Sequence, residues 1–181
     1  MMKRIHILGA SASGTTTLAA ALSQKLGYIH FDTDNYFWVP TEVPFTQKRN
    51  VEERQELLKK DLEKTTKWIL SGSLCGWGDI FIPYFDLVVY LSLSKEIRIE
   101  RLMERERQRY GKEIEKDGKM YRIHKEFVEW ASQYDEAGTN MRSKAIHDIW
   151  LSKLSCPVLK IEGDKTVEER MNIVIRKLER V

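Results

Sequence analysis

The 181 residues, 42% hydrophobic and 31% charged, are enough for one α/β unit with a substantial core, and their mixed composition excludes a disordered or repeat architecture. The two cysteines, Cys75 and Cys156, are too far apart for a C-x-x-C site and imply no disulfide framework, and no stretch nears the ~18 apolar residues of a membrane span. Net charge is +3, but from Lys95 to Lys125 eleven Lys or Arg face seven Asp or Glu, so the basic surplus is local and suits a small anion, not a nucleic acid. A protein of the reducing cytoplasm, with no nucleic-acid or membrane partner, is expected.

In chain order, Lys3 to Leu8 reads as a buried strand and Thr15 to Leu26, rich in Ala and Leu, as a helix ended by Gly27. Tyr28 to Phe31 is a second strand, leading into Asp32-Thr33-Asp34 and an irregular aromatic stretch to Thr46. Asn50 with Glu53 three residues on marks the start of a polar helix to about Thr66. Trp68 to Leu70 is a third strand, followed by the glycine-rich SGSLCGWGD, and Leu87 to Leu91 a fourth. An Arg/Glu helix from Ser94 to about Tyr110 gives way to a polar excursion, Gly111 to Lys119. Helical periodicity resumes in YRIHKEFVEWASQYDEA and MRSKAIHDIWLSKL, then come a fifth strand, Val158 to Ile161, and a helix capped by Thr166. Strands alternating with helices predict a parallel five-stranded sheet covered on both faces, with ligands at the carboxyl ends of its strands.

The glycine-rich turn after the first strand lies at that end. Gly9 and Gly14 bracket four residues and precede two hydroxyl residues, close to the phosphate loop G-x-x-x-x-G-K-[ST] but with Thr15 in the lysine's place. Gly9, Ala10, Ser11, Ala12, Ser13, Gly14, Thr15, Thr16 and Thr17 therefore form a candidate phosphate cradle, in which the Thr16 hydroxyl could ligate Mg²⁺. Locally, Ser13, Thr15 and Thr16 could instead only cap the helix. A dinucleotide fold would also place an acid, Asp32, after the second strand, although the loop has no G-x-G pair.

The loop, the D-x-D after the second strand, the glycine-rich turn after the third and the arginine-bearing helix after the fourth resemble the P-loop small-molecule kinases, the group of shikimate, adenylate, cytidylate and nucleoside kinases. Archaeal cytidylate kinases are similar further, since their loop reads G-S-G-T-T-T with threonine for lysine. The resemblance implies a P-loop kinase-like three-layer sandwich, a single domain over 1–181 with a helical lid at about 105–120, ATP and Mg²⁺ as cofactors and a small-molecule acceptor, nucleotide or nucleoside favoured. It further implies that Asp32 helps hold Mg²⁺ through water, that Asp34 receives or orients the acceptor hydroxyl, and that Arg101, Arg105 and Arg109, one helical face, are lid arginines. Arg49 and Arg54 match the region that grips an acceptor phosphate in nucleoside-monophosphate kinases, while Tyr36, Trp38 and Trp77 could stack a planar substrate. A non-catalytic nucleotide-binding regulator and an NAD-dependent oxidoreductase are the alternatives.

Overall fold

The computed structural model describes residues 2–179. Five parallel strands, β1 (Arg4–Gly9), β2 (Ile29–Asp32), β3 (Trp68–Ser71), β4 (Leu87–Ser92) and β5 (Val158–Glu162), form one sheet in the order β2-β3-β1-β4-β5. Alternation along β1 supplies both faces. Ile5 and Ile7 point to the side covered by α1 (Thr15–Leu26) and α7 (Val167–Glu179), where Leu18, Leu22 and Val174 close the core. Leu8 points to the other side, where α3 (Val51–Leu62) contributes Leu58 and Leu62 and α6 (Lys144–Ser152) contributes Trp150. Helices on both faces of a parallel sheet make the three-layer α/β sandwich expected from the alternation.

The strand order decides between two anion-binding folds. In the dinucleotide order the second strand lies beside the first. Here β3 is inserted between them, with Arg4 to Ile7 of β1 in register with Trp68 to Ser71 and β2 paired on the far side of β3. Asp32 therefore lies next to Ser71 of β3 and not next to the end of β1, which removes the geometry of a ribose-binding acid.

Local signals set most boundaries. Gly27 ends α1 in the left-handed conformation, φ 67°, and its N–H donates to the Ser23 carbonyl. The Asn50 side chain accepts from the Glu53 N–H, and Thr166 and Glu169 cap one another reciprocally. Three stretches differ from the pattern. Asp34–Phe37 is a short helix, α2, stabilised by Thr33 carbonyl bonds to Tyr36 and Phe37. The helix after Asn50 stops at Leu62, where Asp61 begins a turn with Lys64. The polar excursion holds a 3-10 turn, Gly111–Ile114, packed between α4 (Lys95–Tyr110) and α5 (Tyr121–Ser132).

His6 shows how polar groups enter this core. It is fully buried, donates from Nδ1 to the Leu70 carbonyl at 3.0 Å, and stacks on Phe85 at 5.0 Å. Burial pushes its imidazole down to about 4, so it is neutral in the folded protein near pH 7.

Candidate functional site

β1 runs out at Gly9, and the chain turns tightly because a side chain there would meet Ser13 Oγ at 2.5 Å and the Leu91 carbonyl at 2.7 Å. Ala12 (φ 62°) and Gly14 (φ 93°) are both left-handed, alternating with Ser13, so the loop forms a concavity of backbone N–H groups. No side chain caps α1, and its first-turn N–H groups and positive dipole end therefore face that concavity unquenched. The capping reading of Ser13, Thr15 and Thr16 thus has no counterpart. Among the described residues Ser13 Oγ is buried without a partner.

In the first turn of α1, Thr16 Oγ1 donates to Asp32 Oδ2 at 2.8 Å. The same carboxylate oxygen accepts from Ser71 Oγ at 2.9 Å, whose oxygen accepts in turn from His30 Nε2 at 2.9 Å. The other oxygen accepts the Asp34 N–H at 3.0 Å. Asp32 is thereby aimed from β2 across the end of β3 at the helix start. Asp34 opens α2 beside it, reaching solvent but crowded by surrounding atoms; that desolvation and the Asp32 charge raise its pKa, against the pull of Arg142 and Arg105. A carboxyl so shifted binds a proton more readily than an ordinary aspartate.

The three arginines of α4 occupy different places. Arg101 pairs with Asp164 at 2.6 Å and Arg109 lies over the rings of Phe45 and Tyr110. Arg105 makes no ion pair among the described residues but is near enough to Asp34 for the two charges to act on each other, and its buried Nε has no partner among them. Among the described residues none of the three is ion-paired within 4 Å to a glutamate of its own helix; Glu104 takes Arg107 instead. Arg101, Arg105 and Asp164 line an open groove of ≈ 430 Å³ between α4 and the β5–α7 connection.

Arg49 and Arg54 are internal braces. Arg49 Nη1 reaches the carbonyls of Asn35, Tyr36 and Trp38, and its Nε pairs with Glu53 at 3.0 Å. Arg54 lies 3.8 Å over the Phe37 ring and donates to the Arg49 carbonyl at 2.8 Å. Tyr36 and Trp77 are core: the Tyr36 hydroxyl donates to Asp61, and the Trp77 indole donates to the Ser73 carbonyl. Trp38 is half-buried between Phe37 and Phe45.

Two side chains that local patterns did not single out reach the loop from the far end of the chain. Arg170 of α7, 4% exposed, donates to the Ser13 carbonyl at 2.7 Å. Arg142, just before α6, donates from Nη2 to Ser11 Oγ at 2.8 Å. Neither has a sequence neighbour in the site, and the only local hint was an arginine preceding the Ser143 cap.

A small triphosphate fits this arrangement: N–H groups and a helix end for phosphate oxygens, and a hydroxyl–carboxylate pair for the cation that accompanies them. Among the described residues no group of three His, Cys, Asp or Glu could hold a metal alone. The AAA domain family matches residues 5–122. The chain belongs to this family. It is 55% identical over 175 residues, 97% of each chain, to the uncharacterized protein YqaC of Bacillus subtilis. It is 26% identical to a cytidylate kinase of Methanococcus vannielii, covering 89% of this chain and 90% of that one. Among solved structures, shikimate kinase of Aquifex aeolicus superposes with a TM-score of 0.55 at 20% identity, covering 97% and 96% of the two chains. The fold is that of the P-loop small-molecule kinases, and it supports nucleotide-dependent phosphoryl transfer in general terms. No helix among the described residues is long and apolar enough to cross a membrane.

Proposed function

We propose that the protein transfers the γ-phosphoryl group of ATP, with Mg²⁺, to a hydroxyl of a small acceptor. The observation that carries this reading is the contact of Thr16 with Asp32 at 2.8 Å on the open side of an N–H-lined loop, with Asp34 at the next turn of backbone. Residues Gly9 to Thr17 would hold the phosphates, and Thr16 with Asp32 would hold Mg²⁺ directly or through water. The metal supplies charge neutralisation at the phosphate oxygens. Asp34 accepts the acceptor's proton, its raised pKa matching that task, and Arg105 faces it with an unpartnered Nε.

A nucleoside acceptor is favoured over a nucleoside monophosphate, because Arg49 and Arg54 are already engaged by backbone carbonyls and the Phe37 ring. The cytidylate kinase relative supports a nucleotide-type ligand; the fold likeness to shikimate kinase leaves a polyol as the competing class.

Thermal denaturation over Mg-ATP, Mg-ADP, NAD and candidate acceptors tests the reading. A ligand at 100 times its Kd adds ~2.7 kcal/mol, so Mg-ATP should raise the Tm and NAD should not. Gly14→Val should abolish the Mg-ATP shift, since φ 93° disfavours a branched side chain and its Cβ would sit 2.9 Å from the Arg170 guanidinium. A folded Gly14→Val protein with unchanged ATP affinity would sink the loop assignment.

A further inference from the structure

We infer that Arg142 supplies the positive charge that the phosphate loop lacks at Thr15, and that it does so from the rigid scaffold, already docked on the loop before nucleotide arrives. The inference rests on the kinase reading above and adds a residue to it.

A loop of backbone N–H groups offers partial charges only, so a triphosphate held there calls for a full cation within a few ångströms. Among the described residues two arginines, Arg142 and Arg170, bond to the loop, and their partners separate them. Arg170 donates to main-chain carbonyls, Ser13 O at 2.7 Å and Gly163 O at 3.5 Å; it braces the back of the loop. Arg142 donates to the side-chain hydroxyl of Ser11, a contact that can be exchanged for a phosphate oxygen without disturbing the backbone.

The remainder of the Arg142 guanidinium is held in readiness. Its face lies over the Trp130 ring at 4.7 Å, and among the described residues its Nε is buried with no partner; Arg170 Nε is too, so the ring stacking and the exchangeable Ser11 contact are what set Arg142 apart. Among the described residues no carboxylate forms an ion pair with it, although Asp34 is near enough to act on its charge. A buried donor left open beside an anion cradle marks a place for ligand. Bonded to the loop through Ser11 and close enough to Asp34 for their charges to act on each other, Arg142 would stand near the transferring group, where charge develops.

The backbone that carries it is tied down. Ser143, the next residue, caps α6 through the Ile146 N–H and donates to the Gly138 carbonyl at 2.7 Å, while the Lys144 N–H donates to the Tyr134 carbonyl at 2.8 Å. One turn on, His147 is clamped between Tyr134 and Ser73. Arg142 thus differs from a cation carried on the α4 face that must travel with a lid. A pre-docked cation acts in the ground state as well as in the transition state, and that makes it measurable without knowing the acceptor.

The experiment is a binding comparison of Mg-AMPPNP with Mg-ADP by calorimetry, on wild type, Arg142→Ala, Arg142→Gln, Thr15→Lys and the Thr15→Lys/Arg142→Ala double variant. Wild type should prefer AMPPNP. Loss of the charge should weaken AMPPNP on the order of 10- to 100-fold, the range of a charge-assisted hydrogen bond, with ADP changed by less than about threefold. Thr15→Lys should restore most of that loss in the double variant. Should Arg142→Ala fail to fold, Arg142→Gln keeps the methylene stem and a shorter, uncharged polar tip and carries the same expectation. Equal AMPPNP and ADP affinities in wild type and a folded neutral variant, or strictly additive effects in the double variant, would overturn the inference while leaving nucleotide binding intact. Failure of the wild type to bind either nucleotide would instead overturn the kinase reading, and this inference with it.

Discussion

Two pairs of arginines flank the strand ends and are bonded in opposite ways. Arg49 and Arg54, on the α2–α3 arm, have carbonyl, carboxylate and ring partners that leave them closed to a ligand. Arg105 and Arg142, whose charges act on Asp34, each keep a buried Nε without a partner among the described residues. Exposure does not separate the pairs, since Arg54 is more buried than Arg105 or Arg142. Hydrogen-bond saturation does. A satisfied guanidinium stabilises the fold, whereas an unsatisfied one costs the fold something and has a use only when an anion arrives.

Turnover should separate the two pairs of arginines most strongly. Arg142→Ala should lower kcat on the order of 10³, the lower end for arginines that stabilise a transferring phosphoryl group, with little change in Tm; near wild-type turnover would remove the distinction. Arg49→Ala should show the reverse: a loss of roughly 2–4 kcal/mol in urea denaturation, because three backbone carbonyls and Glu53 lose their donor, with AMPPNP affinity of the folded fraction unchanged. Arg101→Ala, which breaks an exposed pair with Asp164, should cost less than about 1 kcal/mol. A large kinetic effect there would place the working cation on α4 and not before α6.

A pH series sharpens the same contrast from beneath Arg142. Burial pushes His147 down to about 3, with the nearby Arg142 charge adding to the effect, and pushes His6 to about 4. In the unfolded chain both return to about 6.5, so the unfolded state takes up the extra protons. Their contribution is complete above about pH 6.5 and falls with pH, by ~1.4 kcal/mol per unit for each group down to about pH 4. His6→Phe should flatten the slope by about half between pH 6 and 4.5, in denaturation curves taken at each pH. An unchanged slope would mean that His6 is protonated in the folded protein.

The sequence made legible whatever depends on neighbours a few residues apart. The Asn50–Glu53 and Thr166–Glu169 caps, the Gly27 stop and the Gly9-to-Gly14 spacing are local hydrogen-bond requirements, and the elements follow them closely. The meeting of Thr16 with Asp32 was within reach too, since each stands at a strand or helix end in a parallel α/β pattern. Long-range placements were not. Ser11 and Arg142 are 131 residues apart and Ser13 and Arg170 are 157 apart, joined only by the stacking of α6 and α7 on opposite faces of the sheet. Aromatic residues were ambiguous for the same reason: Tyr36, Trp38 and Trp77 have one composition signal, and tertiary packing puts two of them in the core.

The most direct measurement is transfer of labelled γ-phosphoryl from Mg-ATP to a panel of nucleosides, nucleoside monophosphates and polyols, run on wild type and Asp34→Asn side by side. Wild type should label at least one acceptor, and Asp34→Asn should lower kcat for it by ~10² or more while ATP affinity stays within about threefold. Mg-ATP bound tightly with no acceptor labelled, or Asp34→Asn turning over as fast as wild type, would contradict the kinase reading.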